Sequence, residues 1–213
     1  MKENNWFDPF YIQSHLSEEE SNIQKNVRDF CNNELKPTVV ERNRKNEFDQ
    51  SLYPKFGSLG VLGQTVKTHG GSGTSNLAYG LVAYEFEKID SSYRSSISVQ
   101  SSLVIHPINE FGSQEQKDKY LPSLIKGEKI GCFGLTESEA GSDPASMKTS
   151  FKKTKDGYII NGSKNWITNA PIADIFIIWA IEENKDHKSI KGFIIEKNTE
   201  GLNTSTIENK TSL

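Results

Sequence analysis

The chain has 213 residues, 25 basic against 28 acidic side chains and a formal charge of −3, with a pI near 5.9. That length fits one large domain or two smaller ones, and the mild acidity argues against a surface built mainly for nucleic acid. Hydrophobic residues at 34% and aromatics at 10% mark a folding sequence despite a mean hydropathy of −0.59.

The longest apolar run, 175–181, is far short of the ~20 residues of a spanning helix, so no membrane span is expected. Cys31 and Cys132 stand far apart and form neither a C-x-x-C nor a disulfide framework. Residues 1–10 lack the apolar stretch of a secretory leader and the Arg-rich character of a transit peptide. The expected compartment is the reducing cytoplasm, or the mitochondrial matrix if the source is eukaryotic and the N-terminus is processed.

In chain order, Ser17 and Glu20 form a capping box. Ile23, Val27, Phe30, Cys31 and Leu35 then recur at helical spacing, and Pro37 follows the stop. A short helix is expected over 52–59, then a Gly-rich loop at 70–73. A helix over 76–90 carries Leu77, Leu81, Val82, Glu85, Phe86 and Ile89 on its pattern, and another runs over 93–111 with Gly112 at C′. Ser113 and Gln116 form a second capping box leading to Tyr120, Leu121, Leu124 and Ile125. Pro122 should break or shorten that helix, and Gly127 closes it.

After Gly127 the period changes. Strands are expected at 130–136, at 151–155 and 158–160 across Asp156-Gly157, at 166–168, 175–180 and 192–196. Asn161-Gly162 is a second turn signal, and a polar loop joins the last two strands over 182–191. Helices come first and antiparallel strands second. The expected fold is α+β, with an N-terminal α-helical domain over 1–128 and an antiparallel β domain over 129–213. Strands not interleaved with helices argue against a Rossmann or TIM architecture. The chain stops at Leu213 without turn punctuation. Either its last strand ends a small sandwich, or the chain is a fragment of a longer protein.

Several motifs fail on inspection. Residues 157–164 nearly spell a P-loop, but Ser163 and Lys164 are in the wrong order and the segment lies on an expected hairpin. Gly71-x-Gly73-x-x-Asn76 lacks the third glycine of a dinucleotide fingerprint. The histidines at 15, 69, 106 and 187 form no metal-ligand pair. His106, before Pro107 on an apolar helix, is expected to pack. No G-x-S-x-G elbow occurs.

Two segments carry more chemistry. The loop after Cys132 holds Gly134, Thr136, Gly141 and Ser142. Its glycines allow close backbone approach, and its hydroxyls and amides suit a phosphate or the edge of a heterocycle; the alternative is a plain polar loop. Trp166 and Thr168, two apart on an expected strand, share a face. They could flank a flat aromatic group, or Trp166 could simply be core.

Taken together, Phe133-Gly-Leu-Thr-Glu137 with Gly141-Ser-Asp-Pro144, then Gly162-Ser-Lys-Asn-Trp-Ile-Thr-Asn169, resemble the two FAD-contact signatures of the acyl-CoA dehydrogenase family. The resemblance extends from the N-terminal helices to the last residue. It implies a helical domain, a β domain and then a C-terminal helical bundle before which this chain is truncated. It implies that Phe133, Gly134, Leu135, Thr136, Ser142, Trp166, Ile167 and Thr168 contact FAD, with Thr168 near the flavin N5 and Ser142 also near the acyl-CoA pantetheine.

Arg94 and Ser98, four apart, share a helix face, and an arginine among hydroxyls can grip a carboxylate; the alternative is a solvated helix arginine. The stretch resembles the glutaryl-CoA dehydrogenase branch through Val99-Gln-Ser-Ser and His106-Pro-Ile. That likeness implies that Arg94, Ser95 and Ser98 hold the distal carboxylate of glutaryl-CoA, which is oxidised and decarboxylated to crotonyl-CoA and CO2. The family base is a glutamate in the bundle, so no catalytic base is expected here and the isolated chain should be inactive. An electron-transfer flavoprotein as acceptor and a homotetramer are implied for the intact enzyme. The alternatives are a non-catalytic flavin or acyl-CoA module, half of a split enzyme, or a dehydrogenase for another acyl group.

Overall fold

The computed structural model describes residues 8–208. Residues 1–7, part of the stretch searched for a leader, and 209–213, the end of the expected β domain, lie outside the described residues. The first half is helical. Helix α1 (Glu18–Phe30) starts on the expected capping box, with Ser17 and Glu20 each bonding the other's backbone amide, and runs into a π-helical segment, Cys31–Leu35. Helices α2 (Val39–Lys45), α3 (Leu52–Ser58) and α4 (Asn76–Glu87) follow. Their apolar faces meet around Tyr53, Phe56 and Phe86, all fully buried, with the Phe56 and Phe86 rings edge to face at 5.4 Å. One buried charge pins α1 to α4. The Glu85 carboxylate accepts from Gln24 at 2.8 Å and from Arg28 at 2.9 Å, so its desolvation is matched by partners.

The helix expected over 93–111 is three pieces end to end: α5 (Ser91–Ser98), a π-helical segment (Val99–Ile105) and α6 (His106–Phe111). Two local expectations are corrected here. His106 is exposed instead of packed. Gly112 is not left-handed but extended, at φ −69 and ψ 151. It is glycine because a Cβ would stand 2.5 Å from the Ile108 carbonyl oxygen. Helix α7 (Gln114–Ile125) starts on the second capping box and runs straight through Pro122. The proline removes one backbone bond, but buried Leu121, Leu124 and Ile125 anchor the final turn to the core, so packing overrides the break. Gly127, at φ +70, closes the helix as expected.

The second half carries five strands among the described residues: β1 (Gly131–Gly134), β2 (Ser150–Lys153), β3 (Tyr158–Asn161), β4 (Ile175–Glu182) and β5 (Lys191–Glu196). The α-then-β order holds, but the sheet is mixed and not antiparallel throughout. β4 pairs in parallel with β1, Gly131 opposite Ile175, and further along with β2, Ser150 opposite Ile181. Its other edge pairs antiparallel with β5, Ile175 opposite Glu196. β2 and β3 form the expected hairpin, closed where the Thr154 amide bonds the Gly157 carbonyl at 2.9 Å. Parallel pairs need a long crossover, and here the crossover carries that hairpin where a helix is usual. Residues 166–168 are not a strand; they form an irregular turn with Trp166 at φ +60.

The halves are joined by buried polar contacts. Gln100, on the π-helical segment, donates to the Leu124 and Lys129 carbonyls at 2.9 Å each and accepts from the Gly131 amide at 2.8 Å. Gly131 abuts that segment so closely that a Cβ would meet Val104 Cγ1 at 2.5 Å. Tyr120 on α7 reaches Glu196 on β5 at 3.0 Å.

Candidate functional site

A cleft of about 1760 Å³ lies between α5 and the sheet, lined by Ser95 and Ser96, by residues 158–172, by Phe176 and Ile178 of β4, and by the chain after β5. Alternation along β1 and β4 sets its floor. Cys132, Phe176 and Ile178 cluster with Ile167 and Ile195 on the cleft side, while Phe133 packs into the helical core. Burial pushes the Cys132 thiol up to about 12, so it stays protonated at neutral pH. Among the described residues no group of His, Cys, Asp and Glu is arranged to hold a metal ion. No helix among them is long and apolar enough to cross a membrane.

Trp166, Ile167 and Thr168 all line the cleft. Trp166 is 69% exposed, unusual for a large aromatic ring and contrary to a core role. The segment 133–136 reaches the cleft indirectly. The Leu135 carbonyl accepts from the Lys164 ammonium at 2.9 Å, and the Thr136 carbonyl accepts from the Asn165 amide at 2.9 Å; Lys164 and Asn165 are lining residues. The Phe133 ring is turned away against Trp179, centroids 6.0 Å apart, so only its backbone is available to a ligand on the cleft side. Ser142 is exposed on the following loop and lies outside the cleft lining.

The two loop glycines divide. A Cβ at Gly134 would stand 2.5 Å from Ile178 Cδ1, so the end of that side chain would have to shift. A Cβ at Gly141 would meet nothing within 4 Å, which leaves open space at the loop backbone.

Glu137 and Lys164 carry no role in the sequence reading, although each lies inside one of the two quoted segments. Their side chains are 8% and 7% exposed and form an ion pair at 2.8 Å. Their neighbours in sequence, Thr136, Ser138 and Glu139 for one and Ser163 and Asn165 for the other, give no sign of burial. Burial works to raise the Glu137 pKa. The bonds it accepts from Lys164 and from the Lys148 and Thr149 amides outweigh that and hold it down at about 2.

Arg94 and Ser98 share a separate, shallow cleft with Tyr79, as their spacing requires, whereas Ser95 faces the large cleft. Arg94 is already engaged. Its Nε donates to Glu87 Oε2 at 2.8 Å, and Ser91 donates to the other oxygen at 2.7 Å. The bond from Arg94, then that from Ser91, lowers the Glu87 pKa. Tyr79 lies 3.3 Å from Ser98.

Comparison with known proteins agrees with this geometry. Residues 17–128 match the family model for the acyl-CoA dehydrogenase N-terminal domain, and 132–213 that for the middle domain. The short-chain-specific acyl-CoA dehydrogenase of Clostridium acetobutylicum is 39% identical over 198 residues, 92% of this chain and 52% of that protein. Mitochondrial isovaleryl-CoA dehydrogenase of Pongo abelii is 39% identical over 196 residues, 89% of this chain and 46% of the relative. A crystal structure of glutaryl-CoA dehydrogenase from Mycobacterium smegmatis in complex with FADH2 superposes with a TM-score of 0.90 at 39% identity, covering 94% of this chain and 51% of that one. The chain thus spans about half the length of the relatives it matches. It belongs to the acyl-CoA dehydrogenase family, of which it carries the N-terminal and middle domains.

Proposed function

We propose that this chain is the N-terminal part of an FAD-dependent acyl-CoA dehydrogenase, and that the large cleft is its share of the flavin and acyl-CoA site. One observation carries the reading: the two signature segments, far apart in sequence, are bonded to each other and present Trp166, Ile167 and Thr168 on one cleft. The cleft fits a flat cofactor. It holds about 1760 Å³, its floor is apolar and Thr168 is on its lining, while outside the lining the loop backbone at Gly141 is open to close approach. Trp166, Ile167 and Thr168, the backbone of 133–136 and Ser142 would hold FAD. When bound, FAD supplies the hydride acceptor; the chain's own residues orient it, and the floor excludes water on one side. The expected domain limits are 1–128 and 129–213. A base, an electron-transfer flavoprotein acceptor and a homotetramer interface belong to the intact enzyme in this reading.

The substrate we infer is glutaryl-CoA, oxidised and decarboxylated to crotonyl-CoA, with Arg94 and Ser98 to hold its distal carboxylate; Ser95, on the large cleft, does not share their pocket. The pairing of Arg94 with Glu87 favours a second reading. A distal carboxylate must share the guanidinium with Glu87, whereas an uncharged short acyl chain leaves that pair intact. The two readings separate in the intact protein carrying Arg94→Gln. Glutaryl-CoA turnover is expected to fall by ~100-fold or more, the weight of a lost bidentate charge contact, with butyryl-CoA turnover changed little. Equal losses on both substrates would remove the carboxylate role.

A further inference from the structure

Lys164 and Glu137 tie three stretches of chain at one buried point. The Lys164 ammonium donates to Glu137 Oε1 at 2.8 Å and to the Leu135 carbonyl at 2.9 Å, and lies 3.9 Å from Met147 Sδ. The Glu137 carboxylate also takes the Lys148 amide at 2.7 Å and the Thr149 amide at 2.9 Å. A glycine beside this point is needed to admit it: a Cβ at Gly162 would stand 2.4 Å from Thr149 Oγ1 and 2.6 Å from its Cα.

A buried ion pair is an expensive way to fill space. An apolar pair of the same volume is often as stable or more so, and the better-attested return is a unique conformation. The conformation at issue lies two residues on. Trp166 sits at φ +60, which is strained for a bulky side chain and persists only where the surroundings fix it. The Lys164 side chain and the Asn165 amide, bonded to the Leu135 and Thr136 carbonyls, fix the backbone immediately before it. Asn169, left-handed at φ +71 and bonded through Nδ2 to the Gly131 carbonyl at 3.1 Å, fixes the backbone after it. Between these two anchors lie Trp166, Ile167 and Thr168, which line the cleft.

We infer that the Lys164–Glu137 pair is a positioning clasp that holds the 166–168 turn in its strained form and so sets where Trp166 and Thr168 meet the flavin. This rests on the flavin reading of the cleft. Lys164 and Glu137 act through the turn, so they are positioning residues and not catalytic ones.

The test uses the full-length protein, stripped of flavin, titrated with FAD and followed by flavin fluorescence and the visible spectrum of the bound form. Thermal unfolding of each apo-protein is measured in parallel. Lys164→Met is expected to weaken FAD binding by ~10-fold or more and to alter the bound flavin spectrum while the apo-protein still unfolds cooperatively. Glu137→Gln keeps one acceptor oxygen, enough for Lys164 and the Thr149 amide while the Lys148 amide loses its partner, and should weaken binding less; Lys164→Arg should recover part of the loss. If both Lys164→Met and Glu137→Gln bind FAD as the parent does, with its spectrum, the clasp is refuted and the flavin reading survives. If either variant loses its cooperative transition while Lys164→Arg shows no partial recovery of FAD binding, the pair merely supports the β domain, and the positioning role is overturned. A parent protein that takes up no FAD overturns the flavin reading, and the clasp with it.

Discussion

Gly134 and Gly141 sit seven residues apart in one loop-forming segment and have different surroundings. At Gly134 an added methyl collides with Ile178 Cδ1 at 2.5 Å; at Gly141 it meets open space. Gly134→Ala should cost no more than ~1 kcal/mol of stability, because the end of the half-buried Ile178 side chain can turn aside. Gly141→Ala should stay within ~0.5 kcal/mol and, if the proposed flavin approaches this loop, weaken FAD binding instead. Denaturant unfolding and FAD titration of the two variants check this directly. Glu137 has a further consequence. Its folded pKa of about 2 lies below the ordinary 4.5, so its stabilisation is fully present above pH 4.5 and drains away as pH falls toward 2. Glu196, lowered first by its bond from Lys119, and Glu87, lowered first by Arg94, shift in the same direction. Stability should thus fall below pH 4.5, and Glu137→Gln should flatten that limb in part only. An acid limb identical to the parent's would remove Glu137 from the account. Neither glycine distinction nor ion pair is legible from local sequence, because each is set by a neighbour more than 25 residues away, Ile178 for Gly134 and Lys164 for Glu137.

At the scale of elements, the periodic segments were readable and the joints between them were not. Both capping boxes, the helix starts they mark and the Asp156-Gly157 hairpin follow from residues within four positions of each other. The two π-helical segments, Cys31–Leu35 and Val99–Ile105, keep an apolar pattern that runs through them without a break in period. Pro122 misleads because its local cost is overcome by burial of Leu121, Leu124 and Ile125. Trp166 and Thr168 read as a strand from their β-propensity alone. The flanking Gly162 and Asn169, both at positive φ, are the residues that mark a turn. The parallel partnership of β1 with β4 depends on a crossover of about 40 residues that no local pattern specifies. Gln100 is the joint with the largest expected effect. It bonds three backbone groups at 2.8–2.9 Å while wholly buried. Gln100→Leu should cost ~2–4 kcal/mol by stranding those groups, seen as a lower denaturant midpoint. A midpoint unchanged from the parent would mean that β1 is held to the helices by packing alone.

The whole molecule reads as two layers meeting at an open cleft. The family signatures were legible because they are local runs of residues; the structure puts the second on the cleft lining and bonds the first to it through Lys164 and Asn165. The full set of cleft residues was not, because Ser96 and the chain after β5 arrive there only through the fold. Its exposed tryptophan and its large opening suit a surface that is covered when a ligand and further protein are present. The chain spans about half of its relatives, so in this account the rest of the enzyme supplies the base. The central claim is that this cleft is a flavin site. The most direct measurement is the flavin content of the purified full-length protein after removal of unbound small molecules, followed by its absorbance on anaerobic addition of glutaryl-CoA and then butyryl-CoA. The account predicts FAD bound in equal amount to protein and a bleached visible band with the preferred acyl-CoA. A protein that carries no FAD, and takes none up from excess, would contradict it.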